Sequence, residues 1–155
     1  MENFVDDIKI NFSFLAEYGF TITIPQSVEI DGIMAVFTSP SIRIRLKQSH
    51  EEVTLDFTKI FTNGQLDNKR WITFCWIAEY LSGDDGYESN FFWNEKIYDK
   101  KIMKQIVSLS EDLRVLIIKI IDFFKSEGYE ERDKKIDVYI HNRLEQLRSV
   151  RRNDN

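Results

Sequence analysis

The sequence predicts an α+β fold: an N-terminal helix, a four-stranded antiparallel meander sheet, then three to four C-terminal helices packed on the sheet. Three observations predict it. Residues 33–58 alternate apolar and polar side chains with a period of two, over three successive segments. From residue 70 onward the apolar positions recur with helical spacing instead. All strand-like segments precede these helices, whereas a parallel sheet would interleave the two. A chain of 155 residues, 43% hydrophobic and 30% charged, is long enough to bury its own core as one domain, 1–155.

The first helix is expected over 3–18. Asn3 can cap it, and Asp6 and Asp7 suit its first turn. Phe4, Ile8, Phe12 and Leu15 form its apolar stripe, which Ile10, Phe14 and Tyr18 widen; Gly19 is the natural stop. Residues 20–24 alternate as a first strand ended by Pro25. Strands over 33–38, 41–47 and 52–58 follow.

In the hairpin, Ile42, Ile44 and Leu46 alternate with Arg43, Arg45 and Lys47, and Val53, Leu55 and Phe57 with Thr54, Asp56 and Thr58. A loop at 48–51 sets Lys47 opposite Glu52, Arg45 opposite Thr54 and Arg43 opposite Asp56. It also sets Leu46 on Val53, Ile44 on Leu55 and Ile42 on Phe57. Thr54, Asp56 and Thr58 then point outward. The turn at 38–41 sets Phe37 on Ile42, Ala35 on Ile44 and Ile33 on Leu46. Met34 and Val36 consequently fall on the cationic face beside Arg45 and Arg43. Either arginine stems lie over these two apolar residues, or a helix, loop or partner covers them.

Residues 59–69 read as a polar link with a turn at Asn63-Gly64. A helix over 70–82 is apolar nearly all round, with Trp71, Phe74, Cys75, Ala78 and Leu81 on one face. Residues 97–107 read as another. Ser108 and Glu111 have capping-box spacing, which starts a further helix over 109–127. Gly128 ends it. The last helix, 130–150, turns Ile136, Ile140, Leu144 and Leu147 inward, with arginines at its C-terminal end. The run from Glu130 to Lys135 reads as a solvated charged face.

The formal charge of −5 disfavours nucleic acid as a ligand. The N-terminus lacks a signal-type apolar stretch, and the most apolar run, 113–124, is too short and too charged to span a bilayer. A cytoplasmic protein without membrane contact is expected. Phosphate-binding glycine loops, the nucleophile elbow and the zinc H-E-x-x-H pattern are not present in the sequence. Cys75, flanked by Phe74 and Trp76, reads as a buried structural thiol, not a nucleophile partnered by His50 or His141. Those three residues have no metal-ligand spacing, and Asp84-Asp85-Gly86 lacks the spacing of a calcium loop. No cofactor, metal or catalytic residue is assigned, and a non-enzymatic protein is favoured.

Two stretches suggest contact with a partner. Residues 82–95 mix acids, glycines and four aromatics; Phe91 and Phe92 read as core closure, and Asp84, Asp85, Tyr87 and Glu88 as an exposed surface for a basic partner protein. The mixed face of Met34, Val36, Arg43 and Arg45 is the second. The alternative is a small hydrolase or ligand-binding protein with a cleft between sheet and helices, lined by the abundant aromatics.

The helix end Phe14-Leu15-Ala16-Glu17-Tyr18-Gly19-Phe20, followed by the meander, resembles uncharacterised small bacterial α+β proteins, among them suspected immunity proteins of polymorphic toxin systems. The resemblance covers under half the chain. It implies a protein that binds a cognate toxin and has no catalysis of its own, and it carries over no functional residue.

Overall fold

A computed structural model describes residues 2–25, 32–50, 52–67, 70–83 and 102–153. Five strands form one sheet in chain order: β1 (Thr21–Thr23), β2 (Ile33–Thr38), β3 (Ile42–Ser49), β4 (Glu52–Lys59) and β5 (Ile72–Thr73). Every neighbouring pair is antiparallel. The helices are α1 (Glu2–Asn11), α2 (Phe74–Ser82), α3 (Ile102–Phe123) and α4 (Tyr129–Asn153), with a 3₁₀ segment at Ser13–Tyr18. The α+β architecture stands as the sequence indicates, with one strand more.

The first helix is shorter than expected because its stripe contains an incompatibility. Phe12 and Phe14 lie about 200° apart on a continuous α-helix and cannot share one face. The chain leaves the α conformation at Phe12 and continues as the 3₁₀ segment, and Phe12, Phe14 and Leu15 are all buried. Asn11 and Ser13 donate to the carbonyls of Asp7 and Ile10 at the break. Ile10, at 68% exposure, and Tyr18 are left outside, and Asn3 lies within the helix instead of capping it. Gly19 closes the segment in the left-handed conformation.

Both meander registers differ from the expected ones by two residues. Ser49 pairs with Glu52, Lys47 with Thr54, Arg45 with Asp56, Arg43 with Thr58, Leu46 with Leu55, Ile44 with Phe57 and Ile42 with Lys59. The cause is the turn. His50 takes a left-handed φ of 56°, so two residues replace the expected four-residue loop and the ladder gains two rungs. An even shift preserves the faces, and Val53, Leu55 and Phe57 do point into the core. On β2, Phe37 pairs with Ile44 and Ala35 with Leu46. An irregularity between Ile33 and Ala35 then sets Ile33 opposite Lys47 and buries Met34 at 2% exposure. Met34 therefore belongs to the core, not to the cationic face. One extra residue in a strand is enough to make that reversal.

The strand β5 replaces the first turn of the expected 70–82 helix. Ile72 and Thr73 pair with Phe57 and Asp56, and α2 starts only at Phe74. The backbone groups of the β4 edge gain partners that a helix there would not supply. Lys59, expected to open a polar link, is the last residue of β4 and is 1% exposed. The turn at Asn63-Gly64 forms, held by the Phe61 and Gln65 backbones.

The core lies between one sheet face and the helices. Its sheet side carries Ala35, Phe37, Ile42, Ile44, Leu46, Val53, Leu55 and Phe57. The central helix α3 packs on β4 and touches both α1 and α2; α2 in turn carries α4. The α3 stripe of Ile106, Leu109, Leu113, Leu116, Ile117 and Ile120 is continuous, so Ser108 and Glu111 sit inside one helix and cap nothing. Ser110 donates back to the Val107 carbonyl. Gln105 is 2% exposed and accepts the buried Val53 N–H at 2.8 Å, fixing α3 to the hairpin. Residues 97–101 lie outside the described residues.

Two cations close the end of α3, where helix carbonyls lack partners. The Lys59 ammonium donates to the Phe124 carbonyl and to Ser126 Oγ. Arg132 donates to the carbonyls of Phe123, Lys125 and Glu127. Two residues of the expected solvated run, Arg132 and Asp133, are thus tied down, because Asp133 also binds Arg70 at 2.9 Å. Beyond Ile136, α4 diverges from the expected inward stripe. Ile140 and Leu147 are half-buried and Leu144 is 37% exposed. Tyr139 and Arg143 tie it to α2, both donating to Glu79 at 2.7 Å.

Candidate partner-binding surface

The second face of the sheet carries the side chains that the core leaves out. Successive strand residues point to opposite faces, so Val36 and Thr38 on β2, Arg43, Arg45 and Lys47 on β3, and Thr54, Asp56 and Thr58 on β4 share this outer face. Thr73 on β5 shares it too. The cations of β3 recur every second residue, roughly 7 Å apart.

Arg45 is the fixed point of this surface. Its Nε donates to Asp56 Oδ2 at 2.9 Å, and its guanidinium lies 3.9 Å from the centroid of the Trp71 ring. Thr73 donates to the other Asp56 oxygen at 3.0 Å. Both carboxylate oxygens are thus engaged, and the Arg45 charge is neutralised locally. Asp56, at 7% exposure, and Thr58, at 0%, are therefore buried, against the expectation that they point to water. The physical reason is the covering chain: Thr58 donates to the Asp67 carbonyl at 2.8 Å, and Trp71 rests against Arg45.

Arg43 contrasts with its neighbour. In the ladder it stands between Thr38 and Thr58, neither of which carries a charge. Its Nε is shielded from water and has no hydrogen-bond partner among the described residues. Val36 is half-buried beside Arg45. Of the expected mixed face, the structure unites Val36, Arg43 and Arg45 and removes Met34.

This chain matches no protein-family model, no curated protein and no solved structure.

The other expected sites resolve as follows. Asp84, Asp85, Tyr87 and Glu88 lie outside the described residues, as do Phe91, Phe92 and Trp93. Cys75 is buried, and that burial pushes its thiol well above the usual range, which suits a structural role. Among the described residues, no group of three or more His, Cys, Asp or Glu side chains could hold a metal ion. No helix of these residues is long and apolar enough to cross a membrane. Asp56 is expected on this face, but opposite Arg43 and not Arg45; Trp71 and Thr73 are the members of the surface that the sequence pattern does not reveal. The signal for them is the β-branched pair Ile72-Thr73, which favours a strand and would carry Trp71 to the outer face.

Proposed function

We propose that this protein is a non-enzymatic, cytoplasmic protein-binding domain that docks its partner on the outer face of the sheet. We propose further that the partner is a toxin and that the domain acts as its immunity protein. One observation carries the docking reading: Arg45 is held rigid between Asp56 and the Trp71 ring, with Arg43 and Val36 beside it. Tryptophan and arginine are the residue types that dominate interface energetics. A side chain already held in one rotamer loses little entropy on binding. The immunity reading adds the resemblance of the first sixty residues. It also retains the acids at Asp84, Asp85 and Glu88, with Tyr87, as a contact for basic groups of the same partner.

The test is co-expression of the tagged full chain with the products of genes adjacent to its own, including any that arrest growth. A stable complex together with restored growth supports the reading. Restored growth without a complex, or retention of none of these products, contradicts it.

A further inference from the structure

We infer that the partner delivers a carboxylate to Arg43, so that the outer face selects an acidic segment of protein at this point. The inference rests on the docking reading above and names the chemistry of its contact.

Three observations lead to it. Arg45 has a local counter-charge, since Asp56 accepts its Nε at 2.9 Å. Arg43 has none among the described residues: its ladder neighbours are Thr38 and Thr58, and its Nε has no acceptor there. Asp56 is not available to it, because Arg45 and Thr73 occupy both oxygens. A guanidinium whose Nε is shielded from water without an acceptor carries a cost, and an incoming carboxylate offsets it with charge-assisted bonds. Val36, the ladder partner of Arg45, and the Trp71 ring over Arg45 supply apolar contact next along the face for the segment carrying the carboxylate. Lys47, four residues along β3 from Arg43, adds a further cation on the same face, and Glu52 at the hairpin tip carries the opposite charge.

Phosphate chemistry fits less well. Asp56, on the same face, is fixed in place and would repel a doubly charged group more than a single carboxylate. The chain as a whole carries −5, which opposes polyanions at long range.

The test uses the isotope-labelled full chain and two probes of equal length, a glutamate-rich and a lysine-rich peptide, each with one tryptophan. The expected result is that the acidic probe alone shifts the Arg43 Nε–H and Trp71 indole resonances. Arg43→Gln should weaken this binding roughly tenfold, and added salt should weaken it further because exposed charges are screened. Shifts confined to the arginines of α4, or equal binding of both probes, would overturn the inference. So would an affinity indifferent to Arg43→Gln in a protein whose stability is unchanged. The two readings fail separately. A chain that takes the acidic probe at Arg43 but protects against no toxin loses only the immunity reading. A toxin complex unaffected by Arg43→Gln loses only the carboxylate contact.

Discussion

The hairpin register can be settled by a double-mutant cycle, because the two candidate registers give Asp56 different partners. In the structure Asp56 faces Arg45, with Nε and Oδ2 2.9 Å apart. In the register read from the pattern it would face Arg43. The two side chains of the observed pair are 23% and 10% exposed, so the pair lies between a surface ion pair and a buried one. Exposed pairs contribute about 0.2–1 kcal/mol, and hydrogen bonds to charged groups about 1.5–3 kcal/mol. A coupling of about 1–2 kcal/mol is therefore expected for Arg45→Ala with Asp56→Ala. Arg43 is a diagonal neighbour of Asp56, roughly 7–8 Å away between Cβ carriers, so its coupling should stay below about 0.5 kcal/mol. The loss of the Arg45–Trp71 contact occurs in both arms of the cycle and cancels. Urea unfolding followed by tryptophan fluorescence gives the four free energies. Equal couplings, or a larger one for Arg43, would refute the register and the surface built on it.

Three further outcomes follow from the packing. Leu55 is fully buried, so Leu55→Ala should cost about 2–5 kcal/mol, whereas Thr54→Ala on the outer face should cost under about 1 kcal/mol; thermal unfolding of the two variants separates them. Gln105→Leu leaves the buried Val53 N–H without its acceptor and should cost about 1–3 kcal/mol in urea unfolding, while no loss would show that the α3–hairpin bond is not formed. The Tyr129 hydroxyl is buried without a hydrogen-bond partner among the described residues, so Tyr129→Phe should be neutral or stabilising at pH 7, whereas Tyr139→Phe, which loses the 2.7 Å bond to Glu79, should cost about 1 kcal/mol.

The same tyrosines give a pH dependence. Burial raises both phenols above the ordinary value of 10.0, with repulsion from nearby Asp133 added for Tyr129 and the bond to Glu79 for Tyr139. A raised folded value means that the unfolded chain ionises first. Their stabilising contribution is complete below 10.0 and is lost as the pH rises above it. Lys59 opposes this trend, because burial, and then the charge of Arg132, lowers its value; its penalty in the folded state fades as the pH rises towards 10.5. Stability measured from pH 8 to 11 should therefore fall less steeply in Tyr129→Phe than in the parent. Identical slopes would show that Tyr129 is not buried as described.

What the sequence makes legible here is periodicity, and what it conceals is offset. Alternation at 42–47 and 53–58 identifies the core face correctly, because facing depends only on the parity of the register. A slip of two residues leaves every face unchanged, so hydrophobic pattern cannot detect it; the turn at His50 decides it. The irregularity at Met34 is the opposite case, where a single residue changes parity and reverses a side chain. A two-residue strand such as Ile72-Thr73 is shorter than any period, so Trp71 was drawn into the helical pattern that follows. The capping-box spacing at Ser108 misleads because it occurs on the polar side of an unbroken apolar stripe. Of the candidate surface, Val36, Arg43 and Arg45 were visible as a group, while the Asp56–Arg45–Trp71 arrangement needed the register and β5 together.

Docking on the outer sheet face is most directly tested by hydroxyl-radical footprinting of the purified complex against the free chain, read at single residues. Trp71 and Val36 should lose reactivity on complex formation, while Val115 and Ile118 on the exposed side of α3, at 75% and 60% exposure, should react equally in both states. Protection of Val115 and Ile118 with Trp71 unchanged would place the partner on the helices and contradict the assignment of the sheet face.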